Sequence, residues 1–415
     1  MGLLTRDLSN AIDLRTLERW PVISRFDQLG LQPALLRALA DLNFTEPTPI
    51  QQQAIPPALE GRDLLASAQT GSGKSAAFGL PVINAFAGRP LGKTQALVLV
   101  PTRELAEQIA THLAAMAKYT KVRVAAIYGG VGAPRQIAAL RSGTEIIVAT
   151  PGRLFDHMKS GDAPLRDVSI AVLDEADRML DIGFLPIVRR ILERLPAVSQ
   201  RLLFSATMPP AVEALVRDIL RDPVRIAIAA AARNVDALTQ TLYAVPQDKK
   251  TQLLLELLKD NAIFTAIAFT RTKARANRLA AALENSKIPT AVLHGDRSQA
   301  QRTRALDSLK RGKCRVLVAT DIAARGIDIV QLGHVVNYDV PMAPEDYVHR
   351  VGRTARAQAT GDAITFACSE EEPLIRRIEQ VLGKRLERSV NPLFPHLPAS
   401  APKAQAVLSG RRRRR

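Results

Sequence analysis

The sequence predicts an α/β protein of two tandem domains, each built on a mostly parallel sheet covered by helices, followed by a disordered basic tail. Three observations carry this expectation. The chain has 415 residues, more than one core keeps growing over, which argues for two domains of roughly 150 to 200 residues. Short aliphatic or β-branched runs alternate with longer amphipathic stretches, the pattern of strands joined by helical crossovers. That alternation lapses over 229–234 and then starts again. The expected organisation is an extension over 1–25, a first domain over 26–228, a linker over 229–240, a second domain over 241–387 and a tail over 388–415.

Taken in order, residues 1–25 mix charged and apolar positions with a weak helical period. The strand runs of the first domain are 64–66, 96–100, 122–127, 145–149, 170–173 and 201–204. A helix is expected from Ser75 to Leu80, where Pro81 would bend or end it. In the second domain the runs are 266–269, 290–293, 315–319, 334–337 and 363–366, with a helical stretch over 272–285 between the first two. Beyond Glu387 the chain is Pro-rich and polar and ends in five arginines, a composition that reads as disorder. Two similar α/β lobes in tandem invite a ligand between them, and in open α/β sheets ligands sit beyond the carboxyl ends of the strands.

The charge narrows the partner. A net charge of +17 and a pI near 10.4 point to a polyanion. From Lys384 onward nine Lys/Arg face one acid, Glu387, a balance of +8 that leaves +9 for the rest. Cys314 and Cys368 stand far apart in apolar segments, so neither a disulfide framework nor a zinc site is implied and buried structural thiols are expected. No apolar run reaches the length that spans a bilayer, and the N-terminus has no signal-peptide core. The expectation is a soluble, cytoplasmic protein.

The chemistry begins at Ala68-Gln69-Thr70-Gly71-Ser72-Gly73-Lys74-Ser75. Two glycines let the backbone turn so that successive N–H groups face an oxyanion, and the helix that follows presents its positive end to the same phosphates. In such a loop Lys74 reaches the β/γ-phosphates and the Ser75 hydroxyl ligates Mg²⁺. Immediately after the run 170–173 come Asp174-Glu175-Ala176-Asp177. A carboxylate at a strand tip is where such an enzyme holds Mg²⁺, which makes Asp174 the metal-side ligand and Glu175 the base that orients or deprotonates a water. An acidic cluster that merely opens a helix would look the same in isolation. In the second half Arg350, Arg353 and Arg356 fall at i, i+3 and i+6. That spacing suits arginine fingers on one helical face, and equally a basic face in a basic protein.

Together these residues resemble the DEAD-box ATP-dependent RNA helicases of helicase superfamily 2, whose name Asp174 to Asp177 spell. The resemblance runs from about Phe26 to Glu387 and implies two RecA-like domains, ATP and Mg²⁺ as cofactors, and RNA as partner. The stretch Asn43-Phe44-Thr45-Glu46-Pro47-Thr48-Pro49-Ile50-Gln51 is similar to the family's Q motif, with Phe26 as the isolated aromatic 17 residues before Asn43. Asn43 stands where the family usually has Gly. The resemblance implies that Gln51 reads the adenine edge and that Phe44 packs near the base. Thr102 and Arg103 in Pro-Thr-Arg-Glu-Leu, Gly129-Gly130 and Thr150-Pro151-Gly152-Arg153 match segments that grip the RNA backbone. In the second domain Arg271 and Thr272, Gln299 with Arg302, and Thr320 resemble RNA-side motifs. Ser205-Ala206-Thr207 resembles the segment that couples hydrolysis to unwinding, with His349 linking to the segment around Asp177. By the same comparison Asp328 contacts the ribose, Arg353 and Arg356 are the fingers, and the family loop commonly carries Ala at the position of Ala68.

Thr, Gly and Arg contacts without a run of base-reading aromatics suit binding that follows phosphates and tells RNA from DNA by the 2′-OH. The expected activity is ATP-dependent local unwinding of short RNA duplexes and remodelling of RNA–protein complexes. The alternatives are an ATP-gated RNA clamp or assembly scaffold with little processive unwinding, which a broken catalytic set would signal, and a DNA helicase of the same superfamily, which the Q-motif match and the spelling of Asp174 to Asp177 disfavour. The compact core and short basic tail look most like bacterial RhlE-type members, with ribosome assembly, mRNA decay and cold adaptation all open as processes.

Overall fold

The computed structural model describes residues 23–68, 71–90, 92–195, 198–228, 239–259, 263–324, 332–352, 354, 362–390 and 393. The described residues divide into two units, one up to residue 228 and the other from residue 239.

The first unit is a seven-stranded parallel sheet. Its strands are β1 (Leu64–Ser67), β2 (Ala96–Leu99), β3 (Val124–Ile127), β4 (Ile146–Ala149), β5 (Ile170–Leu173), β6 (Gln200–Ser205) and β7 (Val224–Ala227). They lie in the order β3-β4-β2-β5-β6-β1-β7. Parallel sheets are covered on both faces, which is why these strands are nearly unbroken aliphatic runs. Successive residues point to opposite faces and feed two cores. Leu64, Ala66, Val98 and Val172 enter one, while Leu65, Leu97, Leu99 and Leu173 enter the other.

The second unit repeats the plan. Its strands are β8 (Thr239–Ala244), β9 (Ala266–Thr270), β10 (Thr290–Leu293), β11 (Val316–Thr320), β12 (His334–Asn337), β13 (Asp362–Ala367) and β14 (Glu387–Ser389). Their order, β10-β11-β9-β12-β13-β8-β14, is that of the first sheet with every number raised by seven. In both sheets the first strand of the unit pairs with the sixth and seventh, and the second strand sits between the fourth and fifth.

Several expectations are corrected. The helix after the loop runs Lys74–Phe86, straight through Pro81. A mid-helix proline costs about 3 kcal/mol. Val82, Ile83 and Phe86 beyond it are buried, and burial of each such side chain recovers about 1.5–3 kcal/mol, so packing wins. The expected linker ends early, because Thr239 and Gln240 already belong to β8. The expected tail starts late: Arg388 and Ser389 lie in β14, paired with Leu242 and Tyr243, and Arg388 bonds Glu372 at 3.0 Å. Residues 394–415, including the five arginines, lie outside the described residues. Cys314 is buried as expected, whereas Cys368 is only half-buried just past β13. Among the described residues no helix is long and apolar enough to cross a membrane.

Candidate functional site

In the first unit the predicted phosphate loop leaves β1 and opens the helix Lys74–Phe86, strand to loop to helix as the chemistry requires. Gln69 and Thr70 lie outside the described residues. Gly71 and Gly73 have φ of 85° and 98°, a region open chiefly to glycine. Ala68 is buried and its N–H donates to the Ser205 carbonyl at 3.2 Å, tying the loop to β6. Ser72 and Ser75 are half-buried beside the loop. The Lys74 ammonium is buried, donates to the Ala68 carbonyl at 3.0 Å and lies 3.9 Å from Asp174 Oδ1.

Asp174 sits one residue beyond β5, on the other side of β6 from the loop. Burial pushes its carboxyl up to about 6, with Lys74 pulling it down and Glu175 pushing it up. Glu175 takes φ of 54°, a conformation uncommon for a residue with a side chain. Its carboxylate is held by Arg178, Nη1 to Oε2 at 3.0 Å. Arg178 escaped the sequence reading because nothing in a linear motif says which cation faces an acid one turn away. Asp177 binds Thr207 twice, accepting from its N–H and its Oγ1, each at 2.8 Å, and the Asp177 N–H donates to Ser205 Oγ at 3.1 Å. The segment Ser205-Ala206-Thr207 is thus fastened to the end of β5.

Gln51 is buried against the same loop. Its Nε2 donates to the Gly73 carbonyl at 3.1 Å, and its Oε1 accepts the Thr48 N–H at 2.9 Å as half of a capping box on the helix Pro49–Leu59. Phe44 is exposed and Phe26 buried, their ring centroids 6.1 Å apart. Asn43, which stands in place of the family glycine, has φ of 57°, a conformation that Asn accepts more readily than most residues.

The expected RNA-side residues of this unit gather at the carboxyl ends of β2, β3 and β4. Thr102 and Thr150 are the N-caps of the helices Arg103–Met116 and Pro151–Lys159. The Arg103 guanidinium lies over Gly129 and Gly130 and fills the space a side chain at Gly130 would need. Arg153 Nη1 donates to the Val131 carbonyl at 3.4 Å, and Gly152 beside Pro151 has open space around it. Gln136 was not anticipated: its side chain both accepts from the Tyr128 N–H at 3.1 Å and donates to the Tyr128 carbonyl at 3.0 Å, fixing the backbone that leads into Gly129.

In the second unit Arg271 and Thr272 follow β9, and Thr272 caps the helix Lys273–Asn285 by accepting the Arg275 N–H. Gln299 and Arg302 are buried in the helix Gln299–Lys310, and Thr320 ends β11. The expected common face of three arginines is corrected. The helix Pro344–Val351 stops before Arg353, and Arg350 turns inward, 2% exposed, clamping Asp321 with Nε and Nη2 at 2.6 and 2.7 Å. Arg350 is structural because a desolvated guanidinium needs carboxylate and carbonyl partners, which Asp321, Asn337 and Asp339 supply. His349 is half-buried on the same helix. Asp328, Arg353 and Arg356 lie outside the described residues.

The comparisons with known proteins agree with this arrangement. A family model described as DEAD/DEAH box helicase matches residues 48–215, and one described as helicase conserved C-terminal domain matches 249–358. The chain is 44% identical to the ATP-dependent rRNA helicase RRP3 of Eremothecium gossypii over 91% of its own length and 78% of that protein's. It is 42% identical to the DEAD-box ATP-dependent RNA helicase CshA of Geobacillus kaustophilus, over 89% and 79%. The chain belongs to the DEAD-box ATP-dependent RNA helicases. Solved structures of this helicase family share its fold: S. cerevisiae Dbp5 bound to RNA and ADP BeF3, at TM-score 0.80 and 33% identity, covers 88% of this chain and 96% of its own. Mss116 bound to ssRNA and UDP-BeF matches at TM-score 0.80 and 27% identity, covering 89% and 80%. The DEAD-box assignment makes the chain an RNA-stimulated ATPase that remodels RNA.

Proposed function

We propose that Lys74, Ser75, Asp174 and Glu175 form the hydrolytic centre of this helicase, and that Asp328, Arg353 and Arg356 complete it. The observation that carries this reading is the buried Lys74–Asp174 pair, 3.9 Å apart at the carboxyl ends of strands flanking β6. A lysine held between a carbonyl and a carboxylate has its charge directed at the loop, where β/γ-phosphates would lie. Ser75 and Asp174 are the residues to hold Mg²⁺. Among the described residues no cluster of three or more His, Cys, Asp or Glu could cage a metal, which suits an ion that takes one carboxylate and completes its shell with phosphates and water. When bound, Mg²⁺ neutralises charge on the transferring phosphoryl group. Glu175, steadied by Arg178, orients the attacking water, and Phe44 with Gln51 selects adenine.

Thr102, Arg103, Gly129, Gly130, Thr150, Pro151, Gly152 and Arg153 in the first domain, and Arg271, Thr272, Gln299, Arg302 and Thr320 in the second, are proposed to follow the RNA backbone. Asp177, Ser205, Ala206, Thr207 and His349 pass the state of the nucleotide to it. ATP and RNA drive unwinding because each favours the same conformation over its alternatives, and phosphate release reverses the preference. Single-stranded RNA should stimulate ATPase and matched DNA should not; equal stimulation by both would overturn the RNA reading. Arg356→Ala should lower the stimulated rate on the order of 10³-fold, and near-normal turnover would remove it from the centre.

The relatives named as rRNA helicases support ribosome assembly as the process, and the basic composition of 384–415 suits the RhlE-type subgroup. Crosslinking in cells identifies the RNA: recovery of rRNA precursors favours assembly, and recovery of mRNA favours decay.

A further inference from the structure

Lys250 is completely buried at the start of Lys250–Leu257, the first α-helix after β8. Its Nζ is 2.6 Å from Glu371 Oε2 and 3.8 Å from Asp339 Oδ1. The other Glu371 oxygen accepts from Arg271 Nη2 at 2.7 Å, and Arg271 also donates to the Val340 carbonyl at 3.1 Å. Asp339 accepts the Arg271 N–H at 2.9 Å and is matched bidentately by Arg275 at 2.7 and 2.6 Å. Lys250 and Glu371 are buried, but the Arg271 side chain is 41% exposed. Arg271, Arg275, Asp339 and Glu371 line a groove of about 660 Å³ that Gln247, Met342 and Cys368 also line, while Lys250 is fully buried and does not line it.

The charges decide what this cluster does. Asp339 is matched by Arg275. An Arg271–Glu371 pair alone would be neutral and would attract a phosphate weakly, because the carboxylate repels what the guanidinium draws. With Lys250 bonded to the same carboxylate, the trio carries one net positive charge, and the exposed group among the three is the Arg271 guanidinium. We infer that Lys250 is a charge-balancing positioning residue for RNA: by neutralising Glu371 from the interior, it leaves Arg271 held in place by Glu371 yet able to pair with a backbone phosphate. The inference rests on the reading of Arg271 as an RNA contact. Arg350, which clamps Asp321, is by contrast only 2% exposed.

The test is a charge rescue, read by fluorescence anisotropy of a labelled oligouridylate over a salt series in the presence of a non-hydrolysable ATP analogue. Lys250→Met is expected to weaken binding about tenfold and to flatten the log–log salt slope by about 0.7, the loss of one single-strand phosphate contact. Lys250→Met combined with Glu371→Gln removes both buried charges and restores the net positive charge at Arg271; affinity and slope are expected to return to within about twofold of the parent. A double variant as weak as the single one overturns the inference, since a purely structural lysine is not rescued by a second core substitution. Glu371→Gln alone should bind at least as tightly as the parent, and weaker binding also overturns it. This single variant keeps the question open to experiment even where Lys250→Met melts early by circular dichroism. Arg271→Ala separates the two readings: normal binding discards Arg271 as an RNA contact, whereas weakened binding beside an unaffected Lys250→Met discards the role of Lys250 alone.

Discussion

The side-chain amide of Gln51 donates to the carbonyl oxygen of Gly73 at 3.1 Å, so the residue proposed to read adenine is also bonded to the loop proposed to hold phosphate. A Cβ at position 73 would lie 2.5 Å from Gln51 Nε2, and the backbone there has φ of 98°. Gly73→Ala therefore meets both a clash and about 1–3 kcal/mol of backbone strain. ATP affinity should fall about 10- to 100-fold, measured with a fluorescent ATP analogue. Gln51→Glu should weaken binding in the same direction, because a carboxylate would face the Gly73 carbonyl.

Thr207 and Asp177 offer a way to separate hydrolysis from work. Thr207→Ala deletes the Oγ1 bond to Asp177 and leaves the Thr207 backbone bond in place. A hydrogen bond to a charged group contributes about 1.5–3 kcal/mol. Duplex unwinding should fall about tenfold or more while RNA-stimulated ATPase changes much less. Parallel unwinding and phosphate-release assays check this, and equal losses in both would assign the bond to catalysis instead.

Gly130 should tolerate no side chain. Its φ of 84° and the Arg103 guanidinium over it leave alanine neither a conformation nor a space. Gly130→Ala is expected to push Arg103 aside and raise the Kd for single-stranded RNA about tenfold. Gln136→Ala, which frees the Tyr128 backbone, should act in the same direction with a smaller effect. Anisotropy titrations measure both.

A pH test reports on the first domain alone. Burial pushes the Glu145 carboxyl up, but the Arg123 guanidinium and the N–H groups of Gly92 and Arg123 outweigh it and hold the group near 2, against an ordinary 4.5. A carboxylate whose folded value lies below its unfolded one adds stability above about pH 4.5 and loses it as pH falls toward 2. The interval corresponds to about 3 kcal/mol. Glu145→Gln should cost about that much at pH 7 and roughly half or less at pH 3, read from urea midpoints at the two values.

Much of this was legible in the sequence for a definite reason. Central strands such as Ile170–Leu173 and His334–Asn337 begin and end where the aliphatic runs do, since both faces are covered. Strand β8 was not fully legible: Thr239 and Gln240 are polar and read as the end of a linker, and only the fold sets them between β13 and β14. The helix through Pro81 was misjudged because local propensity carries no knowledge of what Val82 and Phe86 pack against. Contiguous motifs named the loop, the acidic segment and the glycine pairs. Contacts that span long stretches of chain did not show: Lys250 and Glu371 are 121 residues apart, and no linear pattern joins a buried lysine to a glutamate at the far end of its domain.

The two sheets share one strand order, so each position in one unit has a counterpart in the other. Lys74 opens the helix after the first strand of its unit and lies 3.9 Å from an aspartate just past the fifth; Lys250 opens the first α-helix after the first strand of its own unit and lies 3.8 Å from Asp339, just past the fifth. One unit has its lysine facing a glycine loop. The other meets its lysine with a glutamate, an internal anion in place of an external one, so of the two units one carries the loop proposed to cradle phosphate and the other is filled from within.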